Sequence, residues 1–215
     1  MKLIRDLFFP PKCVFCEKLI EKGLICPDCE RTLPYNLKPF RGVEFAENCT
    51  APLKYEGRVR ESILRFKFGK RQSYSAQYAA MIAEALKRDR MENFDEICWV
   101  PVHVLRRLKR GYDQAELIAR ELAGITGKPC VRYLVKTRNT GRQSRIKGAA
   151  ARRANMTGAY RAVHKRELRS KRLLLVDDII TTGATASECA KTLLAAGADR
   201  VYCASAATAH GKQEG

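Results

Sequence analysis

Apolar positions along the chain follow two periods. Around 173–176, 97–102 and 201–206 they run almost without interruption, as in parallel strands covered on both faces. Val59, Ile63 and Phe66, and then Tyr78, Met81, Ile82, Ala85 and Leu86, recur at helical spacing and predict two core-facing helices. A strand over 49–55, a helix over 113–123, a short strand over 131–135 and a helix from Thr185 closed by Gly197 complete the series. Strands alternating with helices predict an α/β fold with a doubly wound parallel sheet. Ligands of such sheets bind beyond the carboxyl ends of the strands.

The first forty residues depart from that pattern. Cys13-x-x-Cys16 and Cys26-x-x-Cys29 have the ligand number and spacing of a four-thiolate tetrahedral site, for which zinc is the expected ion. Four protein ligands leave no open position, so the metal is expected to be structural. Too few apolar residues surround it for unaided folding. The chain therefore divides into a zinc module over 1–40 and an α/β domain over 41–215. Cys98, Cys189 and Cys203 fall singly in apolar surroundings and read as core; Cys49 is an isolated extra thiol.

Charge narrows the partners. The formal net charge is +18, and residues 101–172 hold 20 Lys/Arg against 4 Asp/Glu. Such a field favours a multiply phosphorylated ligand or a nucleic-acid backbone. No apolar run is long enough to span a bilayer, and the opening residues are too charged for a signal peptide, so a cytoplasmic location without membrane insertion is expected.

Three segments carry candidate chemistry. In the first, the strand over 173–176 leads into Asp177-Asp178-Ile179-Ile180-Thr181-Thr182-Gly183-Ala184-Thr185, and Thr185-x-x-Glu188 reads as a capping box. Two adjacent carboxylates repel unless compensated, and a ribose diol with a nearby metal would compensate them. The following Thr/Gly turn, at a helix N-terminus, suits the 5-phosphate. No GK[ST] follows the glycine, which excludes a P-loop. The second is a loop carrying Arg106, Arg107, Lys109 and Arg110 before a further capping box, Asp113-x-x-Glu116, and it suits pyrophosphate. The third, over 136–148, lacks apolar periodicity and reads as a mobile arm bearing Arg138, Arg142, Gln143 and Arg145.

The acid pair with its Thr/Gly turn resembles the phosphoribosyl pyrophosphate (PRPP) signature of type I phosphoribosyltransferases. Taken with the cysteine module, Gly111-Tyr112-Asp113-Gln114 and the segment Gln143 to Tyr160, it makes nearly the whole chain resemble the ComF family. That resemblance implies a type I phosphoribosyltransferase fold behind a zinc ribbon, Mg-PRPP as ligand, and a link to DNA-uptake machinery and natural transformation. It implies that Asp177 and Asp178 hold the ribose in the catalytic position, that Thr181, Thr182, Gly183, Ala184 and Thr185 hold the 5-phosphate, and that the Arg-rich loop holds pyrophosphate. Asp113 stands where the family commonly has Asn, which changes polar detail at the pyrophosphate loop; Thr181 stands where purine-salvage relatives carry an acid, which disfavours hypoxanthine or guanine salvage against an amine nucleophile or no transfer, and the ribose acceptor stays open. The alternative is a catalytically idle fold that binds single-stranded DNA, with Phe66, Tyr112, Tyr133 and Tyr160 as stacking surfaces.

Overall fold

The computed structural model describes residues 11–140 and 149–209. Its centre is a parallel sheet ordered β1 (Cys49–Thr50), β7 (Arg200–Thr208), β6 (Arg172–Ile180), β3 (Glu96–Trp99), with β2 (Leu53–Lys54) continuing beside β7. Side chains alternate across it. Leu174, Val176, Ile97 and Trp99 join one core with helices α2 (Gly57–Phe68), α3 (Tyr74–Arg88) and α5 (Gln114–Thr126). Leu173, Leu175, Cys98 and Cys203 join the other with α7 (Ala184–Ala195). Cys49 pairs in register with Cys203 inside the sheet and lies outside the four-cysteine cluster.

Two strands end differently from the expectation. The strand read over 49–55 is broken at Ala51-Pro52 into β1 and β2. The strand read over 97–102 ends earlier: the Val100 N–H still donates to the Val176 carbonyl at 2.9 Å, but the Val102 N–H, next in that ladder, donates to Asp113 Oδ2 at 2.9 Å. β6 meanwhile keeps pairing with β7 as far as Ile180↔Thr208. Its last residues, Asp177 onward, therefore have a sheet neighbour on one side only.

The strand read over 131–135 is β4 (Leu134–Lys136), and it lies outside the main sheet. It forms an antiparallel ribbon with β5 (Tyr160–Ala162), placing Lys136 opposite Tyr160. Helix α6 (Ala149–Met156) leads into β5. The arm read over 136–148 is thus part strand: Lys136 ends β4, and the Arg138 guanidinium donates to the carbonyls of Asn155 at 3.0 Å and Thr157 at 2.9 Å. Arg142, Gln143 and Arg145 lie outside the described residues. The Arg-rich loop is a short helix, α4 (Val104–Arg110), capped by the His103 ring and ended by Gly111 in the left-handed region.

The handover from β6 to α7 depends on Gly183. Its φ is +73°, and a Cβ there would lie 1.9 Å from the Gly42 carbonyl oxygen. The close approach that requires glycine is thus to the 42–43 backbone, which Ser187 also fixes by accepting the Glu44 N–H at 2.8 Å. The expected capping box at Thr185 does not form, because Gly183 is the N-cap and Glu188 instead accepts the Gly158 N–H at 2.7 Å.

In the cysteine module, α1 (Pro27–Thr32) carries Cys29. The sulfurs of Cys13, Cys16, Cys26 and Cys29 all lie within 4.8 Å of one another, and Cys16 Sγ is 3.6 Å from Cys26 Sγ. Tetrahedral zinc with bonds of ~2.3 Å separates sulfurs by ~3.8 Å, so these residues fit the ion. Amide N–H groups of Cys26 and Cys29 reach the sulfurs of Cys13 and Cys26, both at 3.4 Å. Burial opposes a Cys13 thiolate, but N–H groups of Cys16, Cys26 and Phe15 outweigh it and bring the thiol down to about 7. Burial and the surrounding thiols push Cys29 up.

The module is locked onto α2. The Ser62 hydroxyl donates to the Val14 carbonyl at 2.7 Å and Arg65 donates to the Phe15 carbonyl at 2.6 Å, while Phe15 meets Tyr78 edge-on at 6.0 Å. Val14 and Phe15 are fully buried, each worth roughly 1.5–3 kcal/mol. Structural zinc contributes about 10–16 kcal/mol in small modules, more than these contacts together. The chain is expected to carry about one equivalent of zinc. Cys29→Ser should lower unfolding stability in urea by more than about 3 kcal/mol and release the metal. An unchanged urea midpoint for that variant would show that zinc does not hold the module.

Candidate functional site

Beyond Val176 the two faces of β6 separate the acids. Leu175 and Asp177 share the α7 face, while Val176 and Asp178 share the α2 face. Asp178 meets Lys67 of α2 at 2.7 Å, an ion pair with both side chains largely enclosed. Asp177 accepts the Asp178 N–H at 2.8 Å and, among the described residues, has no such cation in contact. Burial, and then the neighbouring Asp178, push its carboxyl well above the ordinary carboxylate range. The acids are therefore inequivalent: one carries a counterion, and the other accommodates a proton or a hydrogen-bond donor.

Both acids line a cleft of about 540 Å³ that also receives Arg60, Lys67, Arg106, Arg110 and Lys136. Thr181 and Thr185 reach its edge, and Thr181 to Thr185 also wall a small nook at the start of α7. There the first amides of the helix lack intrahelical acceptors and point outward, which is the usual seat of an oxyanion. The sequence-predicted residues Asp177, Asp178, Thr181, Thr185, Arg106 and Arg110 thus come together. Arg107 does not join them, since it turns to Glu116 at 3.3 Å, and Lys109 is exposed in an adjoining pocket.

Asp113 caps α5, taking the N–H groups of Ala115 and Glu116 on one oxygen and that of Val102 on the other. Glu116 does not complete the expected box; it pairs with Arg107 and Arg120. Burial pushes Asp113 up to about 6, against the Val102 and Glu116 amides that stabilise its charge. Lys136 is brought down to about 8 by burial and then by Arg106, with its ammonium 5.0 Å from the Tyr160 ring centroid.

Three groups at the cleft were not read as site residues, although Gln114 stands in the Gly111–Gln114 motif. Lys67 is one cation on a basic helix, and its partner Asp178 is remote in sequence. Lys136 falls in a stretch without periodicity, and only the cross-strand pairing with Tyr160 brings it inward. Gln114 is 1% exposed; its Oε1 accepts from Arg110 at 3.0 Å, while its buried Nε2 has no well-formed hydrogen bond among the described residues. Arginine only donates, so the amide is oriented with Nε2 away from it. The Tyr112 hydroxyl nearby gives its proton to the Phe66 carbonyl and keeps lone pairs that can accept from that amide.

The expected stacking surfaces for single-stranded DNA are absent. Phe66, Tyr112, Tyr133 and Tyr160 are 0%, 6%, 1% and 7% exposed and belong to the two cores. Among the described residues no helix is long and apolar enough to cross a membrane.

Residues 4–59 match the model of a double zinc ribbon domain, and the described residues of that span hold one four-thiol set. A 90-residue stretch, 42% of the chain, is 41% identical to the amidophosphoribosyltransferase of Escherichia coli and covers 18% of it. The solved glutamine PRPP amidotransferase from B. subtilis, complexed with ADP and GMP, overlays with a TM-score of 0.42 and 26% identity over 61% of this chain and 26% of its own, too loose a fit to carry functional weight. Competence protein F of Haemophilus influenzae is 30% identical over 88% of this chain and 86% of its own length. With that extent of shared sequence, a parallel α/β domain and a four-cysteine ribbon, the chain belongs to the ComF family.

Proposed function

We propose that this chain binds Mg-PRPP in the cleft at the end of β6 as a phosphoribosyltransferase-like protein connected with DNA uptake. The observation that carries the reading is the meeting, in one cleft, of the Asp177-Asp178 pair, the amino end of α7 and a wall of cations. Asp177 and Asp178 take the ribose hydroxyls as donors; a donor on Asp177 lets that enclosed carboxyl stay ionised. The nook from Thr181 to Thr185 takes the 5-phosphate on the first amides of α7. Arg106 and Arg110, with Lys109 nearby, face the pyrophosphate, where negative charge grows as the bond to C1 lengthens. The buried Gln114 amide adds a donor on the same side. Magnesium would be held by the ligand's own oxygens and by water, and supplies charge that offsets the pyrophosphate.

The name of the Haemophilus influenzae relative, competence protein F, supports the link to DNA uptake. A single-stranded nucleic acid keeps the basic surface as its attraction but loses the four aromatics offered for stacking, so the ribose-phosphate reading is better supported.

Isothermal titration with PRPP and magnesium should give saturable heat for the native chain and at least about tenfold weaker binding for the Asp177→Asn, Asp178→Asn double variant. Equal heats from both chains would remove the acids from the site.

Lys136 gives the reading a pH signature. With its folded value lowered to about 8 from 10.5, the unfolded chain holds more protons between those values, so stability of the free protein should rise with pH across that window. An anionic ligand favours the charged amine, so PRPP affinity should instead fall as pH rises through about 8. Lys136→Met should bind more weakly and flatten that fall. An affinity profile identical in the two chains would place Lys136 outside the ligand's reach.

A further inference from the structure

A second pocket, of about 300 Å³, adjoins the cleft and shares Lys67, Phe68, Arg106 and Arg110 with it; Lys70 and Lys109 complete its wall. The lining is one aromatic ring and five cations, with no carboxylate. Phe68 is the last residue of α2 and is 58% exposed. It is held there by a tight turn: the Gly69 N–H donates to the Arg65 carbonyl at 2.6 Å, a Cβ on Gly69 would lie 2.7 Å from that oxygen, and Lys70 follows with φ +55°. The Arg110 guanidinium carbon stands 5.0 Å from the Phe68 ring centroid. Among the described residues Lys70 and Lys109 have no ion-pair partner.

Each simpler occupant leaves part of this wall unused. An inorganic phosphate would answer the cations and leave the ring in water, forgoing the gain from burying a phenylalanine. A neutral ring would stack on Phe68 and Arg110 but leave Lys70 and Lys109, which have no ion-pair partner among the described residues, without an anion. A planar ring that carries its own negative charge answers both, its face against Phe68 and the guanidinium and its anion among the lysines. The volume is in the range of small-molecule sites.

We propose that this pocket is a binding subsite for a small planar aromatic anion, an aromatic carboxylate or a nucleoside monophosphate. Sharing four residues with the main cleft, it sets its occupant beside the ribose, and as the seat of a second ligand next to PRPP it deepens the reading above and rests on it. Lys70 lines this pocket and not the cleft, so it separates the two.

The test is titration of the full zinc-loaded chain at low salt with benzene-1,3-dicarboxylate and with thymidine monophosphate, against benzamide, thymidine and succinate as controls. At least one aromatic anion should bind about tenfold or more tighter than its neutral counterpart and than succinate, and whichever binds identifies the source. Phe68→Leu should reduce that preference about tenfold, and Lys70→Glu should abolish it while the Mg-PRPP heat is unchanged. No binding of either anion, or equal binding of the neutral rings, overturns the proposal. If PRPP heat persists while the aromatic anions fail, the subsite alone falls. If the aromatic anions bind and PRPP does not, the PRPP reading falls, and with it the assignment of the pocket as a second-ligand seat, leaving an aromatic-anion site on its own.

Discussion

The site exists because one strand stops before its neighbour. The Val102 N–H, next in line after Val100 to donate to β6, goes to Asp113 instead, so pairing on that side of β6 ends at Val176, while β7 carries β6 on to Ile180. A crevice must open where β3 departs. Asp177 and Asp178 are the first side chains to face it, and the pleat turns them to opposite faces of the sheet. That geometry decides the electrostatics: one acid reaches the ammonium on α2, and the other stays enclosed with a raised pKa.

Helix α2 links the zinc module to this crevice. Its Ser62 and Arg65 hold the backbone of Val14 and Phe15 between the first two cysteines, and its last turn delivers Lys67 to Asp178 and Phe68 to the cleft's rim. The ribbon is therefore a brace for the helix that supplies part of the site. On the other side Glu188 and Ser187 of α7 bind Gly158 and Glu44, so the turn carrying Thr181 to Gly183 is gripped from two directions.

Much of this was legible in the order of the residues. The apolar runs marked β3, β6 and β7, the paired CxxC motifs marked the metal module, and the acid pair before a Thr/Gly turn marked the crevice. Local capping rules overreached. Thr185-x-x-Glu188 has the right spacing for a box, but Glu188 has a backbone partner 30 residues away, and Glu116 finds arginines. Arg107 and the aromatics Phe66, Tyr112 and Tyr133 have suitable chemistry in the wrong place, because the helix face or strand register that buries or diverts them is set by tertiary packing. Lys67, Lys136 and Gln114 carry the converse lesson, each acquiring its place through a partner or ribbon distant in sequence or through burial that no short motif encodes.

Whether the crevice opened by the end of β3 seats a phosphorylated ribose is read most directly from a crystal structure of the chain with PRPP and magnesium. Ribose hydroxyls should lie within hydrogen-bond distance of Asp177 and Asp178, and the 5-phosphate on the first amides of α7. A ligand bound elsewhere, or an empty crevice at saturating PRPP, would contradict that placement.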